Sequence, residues 1–169
     1  VVESCKIIMD AGVDFLWFPT PNFGGYCISR KTYEKCISES NIRALKRIKD
    51  NGAQIVLHTC GLYDDRFDLV LKESGDAWHI SDTSTKKVKE QYGNKVSLMG
   101  SIPCVPVLME GTEQEVYDFC YKECMDAAQD GRFILSGDCD VPPGTSDENM
   151  KAAVRAAKDA EKILFGKTK

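Results

Sequence analysis

The chemistry this chain could carry is concentrated in its two histidines and eight cysteines. The segment Leu57-His58-Thr59-Cys60-Gly61 closes an apolar run. Side chains alternate across a strand, so His58 and Cys60, two residues apart, would present a nitrogen and a sulfur on one side. A third donor, Cys139, stands in Ser136-Gly137-Asp138-Cys139-Asp140, which closes the last apolar run and leads into the turn Val141-Pro142-Pro143-Gly144. Parallel α/β proteins bind their ligands at the carboxyl ends of the strands. His58, Cys60 and Cys139 therefore make a candidate zinc site with three protein ligands and a fourth position open, the catalytic rather than the structural pattern. Spacing alone leaves a second reading open. In a chain this rich in cysteine a strand-end H-x-C also arises by chance, and the thiols then only pack.

Two alternating patterns would position these residues. Short apolar runs at 14–19, 54–60, 77–82, 95–101 and 133–139, rich in Val, Ile, Leu and aromatics, are predicted strands. Amphipathic stretches at 2–11, 30–51, 63–75, 84–92, 113–130 and 147–164 are predicted helices. Gly52, Gly75, Gly93 and Gly131 fall where a helix should hand over to the next strand, and Thr112 with Glu115 has the form of a capping box. This alternation predicts an α/β fold with a parallel sheet covered by helices. No glycine-rich phosphate loop opens any helix, which demotes nucleotide binding. A (β/α)₈ barrel takes about 250 residues, so about five strands make either an open sheet or part of a barrel.

Twenty-two Lys and Arg against 26 Asp and Glu give a net charge of −4. That balance predicts no nucleic-acid partner and no attraction to anionic membranes. No apolar run approaches the ~20 residues of a membrane span, and Val1–Asp10 has no export-signal pattern, so a reducing cytoplasm is the expected compartment. Within it His79, inside a strand, reads as a packed, hydrogen-bonded histidine. Cys120 and Cys124, four apart on a helix, read as packing, as do Cys5 and Cys36, while Cys27 and Cys104 fall on loops at the carboxyl edge. Trp17 and Phe18 are expected in a barrel core or packed against helices, and Phe23 and Tyr26 over the substrate.

One set of motifs carries a family resemblance. Ala11-Gly12-Val13-Asp14, then His58-Thr59-Cys60-Gly61, Met99-Gly100-Ser101-Ile102, Gly111-Thr112 with Glu115-Val116, and Gly137-Asp138-Cys139 with Pro142 and Glu148-Asn149 run over nearly the whole chain. In order and spacing they resemble the uroporphyrinogen decarboxylase superfamily, and within it the zinc-dependent corrinoid methyltransferases. The decarboxylases carry histidine where this chain has Cys139, so H-x-C with a later Cys points to the methyltransferase branch. Gly100-Ser101 stands where that branch has Gly-Asn, and Thr145-Ser146-Asp147 replaces its Thr-Pro.

By this resemblance the chain is the carboxyl-terminal part of a TIM (β/α)₈ barrel roughly twice its length, its amino-terminal strands absent. Residues 1–169 would form one partial-barrel domain whose exposed edges pair with another chain, including a second copy of itself. The implied cofactor is Zn²⁺ on His58, Cys60 and Cys139. The implied donor is methylcobalamin or a related corrinoid on a partner corrinoid protein, and the implied acceptor is a thiol like coenzyme M or another small molecule. Asp82, closing the third predicted strand, would orient His58 or the substrate, its alternative being a helix cap. Two other functions stay in contention: a decarboxylase of a porphyrinogen-like acid, and a non-catalytic barrel fragment.

Overall fold

The computed structural model describes residues 1–166 of the chain; the predicted domain also takes in residues 167–169, which lie outside the described residues. Five parallel strands form one sheet in the order β1-β2-β3-β4-β5 with helices between them, an α/β architecture. The chain divides into two compact units, Val1–His79 and the residues from Ile80 on.

In the first unit α1 (Val2–Asp10) precedes β1 (Phe15–Pro19). Next come α2 (Arg30–Tyr33), a π-helical turn (Glu34–Ser38), α3 (Glu39–Lys49) and β2 (Gln54–Thr59). After α4 (Phe67–Val70) and a 3-10 turn (Leu71–Glu73) comes β3 (Ala77–Ile80), whose last residue opens the second unit. Phe15 lies opposite Gln54 and Pro19 opposite His58 in the β1–β2 register. The pleat separates buried Leu16 from exposed Phe15 and Trp17 on the other face. Leu16, Ile55, Leu57, Leu45, Ile48 and Leu69 are buried in this unit, and Trp78 stacks on Phe67 at 5.3 Å between ring centroids.

Two helices differ from their sequence patterns, each for a reason that involves a buried charge. The helix predicted at 30–51 is broken by the π-helical turn. Eight residues of regular α-helix leave two side chains about 80° apart, and a turn that absorbs one extra residue brings them back to within about 20°. Tyr33 and Asn41 thereby meet the same buried carboxylate: Glu73 accepts from the Tyr33 hydroxyl at 2.5 Å and from Asn41 Nδ2 at 3.1 Å. The helix predicted at 63–75 starts only at Phe67, because Arg66 has φ −140° and ψ 8°. It stops at Ser74, which takes the left-handed conformation expected of Gly75. Gly75 is held to glycine by space instead, since a Cβ there would lie 2.6 Å from Leu57 Cγ.

The second unit runs through α5 (Thr85–Tyr92), β4 (Ser97–Ile102), a π-helical turn (Cys104–Met109), α6 (Glu113–Ala127), β5 (Phe133–Gly137) and α7 (Asp147–Phe165). β4 and β5 pair in parallel from Leu98 opposite Phe133 to Ile102 opposite Gly137. Thr112 and Glu115 form the expected capping box on α6. Ser146 caps α7 by accepting from Asn149 N–H at 3.1 Å, and α7 ends on Gly166 in the left-handed region. Small residues let the two long helices approach: Ala152, Ala153 and Ala156 share a core with Val116, Cys120, Ile102 and Leu108. The Cys104–Met109 turn occupies a stretch that reads as loop in the sequence; Asn149 Nδ2 holds it, donating to the carbonyls of Leu108 (2.9 Å) and Gly111 (2.8 Å). Among the described residues no helix is long and apolar enough to cross a membrane.

Three of the strands stop short of the residues singled out for chemistry. β2 ends at Thr59, β3 at Ile80 and β5 at Gly137, so Cys60, Asp82 and Cys139 stand on the loops just beyond.

Candidate metal centre

In the first unit the site is built around His58. Its backbone carbonyl accepts two hydrogen bonds from Thr20, from N–H at 3.0 Å and from Oγ1 at 2.8 Å. The Tyr63 hydroxyl lies 2.8 Å from the Thr20 carbonyl and 2.9 Å from its Oγ1, so the end of β2 is tied to the segment after β1. The imidazole is only 6% exposed. Its Nδ1 stands 2.7 Å from Nδ1 of His79, which is 2% exposed on β3. Trp17 lies over both rings, 5.4 Å from the His58 centroid at 27° and 4.7 Å from the His79 centroid at 50°. A ring nitrogen of His58 and Sγ of Cys60 lie within 4.8 Å of each other, although Cys60 is already past the strand.

Cys60 is placed by a segment strapped across its turn. Gly61 has φ +89°, which glycine adopts without strain. Gly24 approaches so closely that a Cβ would come within 2.9 Å of the Cys60 carbonyl oxygen, and Gly25 N–H donates to the Leu62 carbonyl at 2.7 Å. Arg66, 1% exposed, holds the strap from below. Its guanidinium donates to the carbonyls of Phe23 (2.7 Å) and Ile28 (3.1 Å), pairs with Asp65 at 2.8 Å, and lies over the rings of Tyr33 and Tyr63. A buried cation with its donors spent in this way is compensated rather than costly.

In the second unit Cys139 is exposed on the loop after β5. Asp138 N–H donates to the Ile102 carbonyl at 2.8 Å, extending the β4–β5 pairing by one step. The Asp138 carboxylate accepts from Cys104 N–H at 3.1 Å, and the Cys104 thiol reaches the Cys139 carbonyl at 3.4 Å. Burial pushes the Cys104 thiol up, which keeps it the protonated donor of that bond. Asp82 is exposed, with its backbone in the left-handed region at φ 49°. It does not cap α5, because Ser84 does, accepting from Lys87 N–H.

The remaining sequence candidates sort by burial. Cys120 and Cys124 are buried, and burial raises their thiols to about 12 and about 11, so both are protonated packing groups. Two residues around His58 carry more than the sequence suggested. His79 is buried as expected, but its partner is the other histidine. Trp17, expected in a barrel core or against a helix, is 48% exposed on the sheet face that carries His58. The β1–β2 register, with Trp17 two residues before the partner of His58, is the signal that would have found it.

Parallel strands alternating with helices define the class as α/β, and a nitrogen–sulfur pair stands where one strand reaches its carboxyl end, the edge at which such folds bind ligands. Residues 1–160 match the family described as uroporphyrinogen decarboxylase (URO-D), and the chain belongs to that family. Over 162 residues it is 29% identical to the methylated-thiol–coenzyme M methyltransferase of Methanosarcina mazei, covering 94% of this chain and 41% of that protein. The fold superposes on a solved methyltransferase from Methanosarcina mazei with a TM-score of 0.78 at 21% identity, covering 94% of this chain and 47% of that one. The crystal structure of the citrate synthase SbnG shares the fold more distantly, at a TM-score of 0.55 and 11% identity over 97% of this chain and 70% of that one. The chain thus spans less than half the length of the curated relative it matches.

Proposed function

We propose that this chain carries the metal-binding part of a methyltransferase active site that moves a methyl group from a methylated corrinoid, held by a partner protein, to a small thiol. In that reaction a sulfur–carbon bond forms and the cobalt–carbon bond breaks. The bonding pair stays on cobalt, and the thiol proton is released. His58, Cys60 and Cys139 would hold Zn²⁺. The observation that carries this reading is the donor pair of the first unit, an imidazole nitrogen and a sulfur within 4.8 Å of each other, both of the kinds zinc prefers. Family membership and the likeness to a methylated-thiol–coenzyme M methyltransferase support the reaction class.

The residues present fit the metal. His58 is buried, its Nδ1 meets His79, and one of its ring nitrogens lies within 4.8 Å of Cys60 Sγ. Bound there, Zn²⁺ would lower the pKa of a thiol in its open position and so supply a thiolate at neutral pH. The work of the chain's own residues is to hold that position still. Thr20 and Tyr63 fix the His58 backbone, Gly24 and Gly25 fix the Cys60 turn, and Asp138 fixes the start of the Cys139 loop. Asp82 is proposed to orient the acceptor rather than His58, whose Nδ1 is already engaged.

Elemental analysis of the full chain tests the metal, with about one zinc per chain expected and lost in Cys60→Ala. Methylcobalamin offered with a thiol tests the reaction through loss of the methyl–cobalt absorbance. Zinc-free, well-folded protein would overturn the metal assignment; no loss of the methyl–cobalt absorbance, with decarboxylation of a porphyrinogen-like acid retained after Cys139→Ala and chelation, would move the decarboxylase reading ahead.

A further inference from the structure

Two buried imidazoles that meet through the same atom type face a constraint a single histidine does not. A neutral imidazole has one N–H and one lone pair. The Nδ1 atoms of His58 and His79 are 2.7 Å apart, a distance that requires one proton between them, carried by one ring and accepted by the other. Two arrangements satisfy it. If His79 donates, His58 keeps its proton on Nε2 and has no lone pair left for a metal. If His58 donates, its Nε2 carries the lone pair that coordination requires and His79 is the tautomer protonated on Nε2.

We propose that His79 is a positioning residue for the metal centre: it accepts the Nδ1 proton of His58 and so fixes that ring in the one tautomer, and the one orientation, in which Nε2 can ligate. Four observations converge on this role. Both rings are almost fully buried, so water does not compete for the shared proton. Trp17 lies over both rings at 5.4 and 4.7 Å, restricting their rotation from one side. The backbones at both ends of the bond are tied down. The His58 carbonyl takes two hydrogen bonds from Thr20, and the His79 carbonyl takes one from Thr59 Oγ1 at 3.2 Å. Finally, a ligating histidine ordinarily gives its second N–H to a carboxylate or carbonyl. Here the acceptor is a neutral ring, which would orient the ligand without adding negative charge beside the thiolates proposed to share the metal.

The inference rests on His58 being a metal ligand, and its test separates the two. Nitrogen-15 spectra of the imidazoles in the metal-free full chain are expected to show His58 protonated at Nδ1 and His79 at Nε2. A proton on His58 Nε2 would overturn the proposal whether or not zinc binds. Chelator competition then reads the consequence: His79→Ala should weaken zinc binding about 10–100-fold, and His79→Asn, whose side-chain carbonyl can accept, should recover most of it. Wild-type affinity in a folded His79→Ala chain would also overturn it. Should His79→Ala fail to fold, the wild-type tautomer and the Asn variant decide. Should the wild-type chain take up no zinc, the ligand set fails, while the tautomer still answers for His79.

Discussion

The backbone N–H of Cys104 donates to the carboxylate of Asp138 at 3.1 Å, so the residue just before Cys139 caps the π-helical turn that follows β4. One side chain joins the ends of two neighbouring strands, and the loop bearing an exposed thiol starts from a fixed point. Removing it with Asp138→Ala should cost about 1–2 kcal/mol, the price of a lost cap and an unpaired N–H. Asp138→Asn, which keeps an acceptor, should cost less. Urea melts measure the stability, and the labelling rate of buried Cys104 should rise in the alanine variant only.

Gly24 is a packing glycine rather than a turn glycine. A methyl group there would lie 2.9 Å from the Cys60 carbonyl oxygen and 3.3 Å from the Tyr63 ring. Gly24→Ala should therefore push the strap off the Cys60 turn and lower stability by about 1–3 kcal/mol, as overpacking does. Gly12→Ala is the control for added bulk: nothing lies within 4 Å there, and only its φ of +90° resists substitution. Zinc uptake should fall in the Gly24 variant and hold in the Gly12 variant.

Burial pushes the Glu73 carboxyl from its ordinary 4.5 up to about 7, against the hydrogen bonds from Tyr33 and Asn41 that favour the anion. Between those values the folded chain holds a proton that the unfolded chain has released. Stability from this site is therefore complete below pH 4.5 and is lost as pH rises through 7. The swing is on the order of 1–3 kcal/mol. Glu73→Gln cannot titrate. Its melts at pH 5 and pH 8 should differ by that much less than the wild-type pair, and an unchanged difference would assign the pH dependence to another group.

Thiol labelling followed by mass spectrometry should divide the cysteines by environment. Cys27 and Cys36 are exposed and should react in the native chain. Cys120 and Cys124, buried and with thiols raised to about 12 and about 11, should react only on unfolding. Cys120→Ala should lower stability by about 1 kcal/mol and leave zinc content unchanged, whereas Cys60→Ala should do the reverse.

The parts of the fold set by local pattern were legible in the sequence. The five apolar runs became the five strands, and the capping box at Thr112 and Glu115 formed as written. What did not show locally depended on partners distant along the chain. The helix expected at 63–75 is half irregular because Arg66 and Tyr63 are drawn to Phe23, Ile28 and Thr20, about 40 residues back, where no periodicity could register them. The strand ends are also set by tertiary contacts, so Cys60 lies past the pleat that the two-residue spacing had invoked. The closeness of His58 and Cys60 could be read from their spacing, and His79 could be read as a buried, hydrogen-bonded histidine; its partner could not, because that partner lies 21 residues away.

The segment from Thr20 to Ser29, between β1 and α2, is a loop by its lack of helix or strand and a piece of the core by its bonds. Gly25 N–H is spent on the Leu62 carbonyl, Cys27 and Ile28 N–H on Gly24, and the carbonyls of Phe23 and Ile28 on buried Arg66. A stretch wired in this way should exchange its amide hydrogens on the timescale of the strands beside it, resist proteases that cut ordinary loops, and tolerate neither insertion nor deletion. Diversity among sequences sharing this fold would then accumulate around the strap, which would keep a constant length while its neighbours drift.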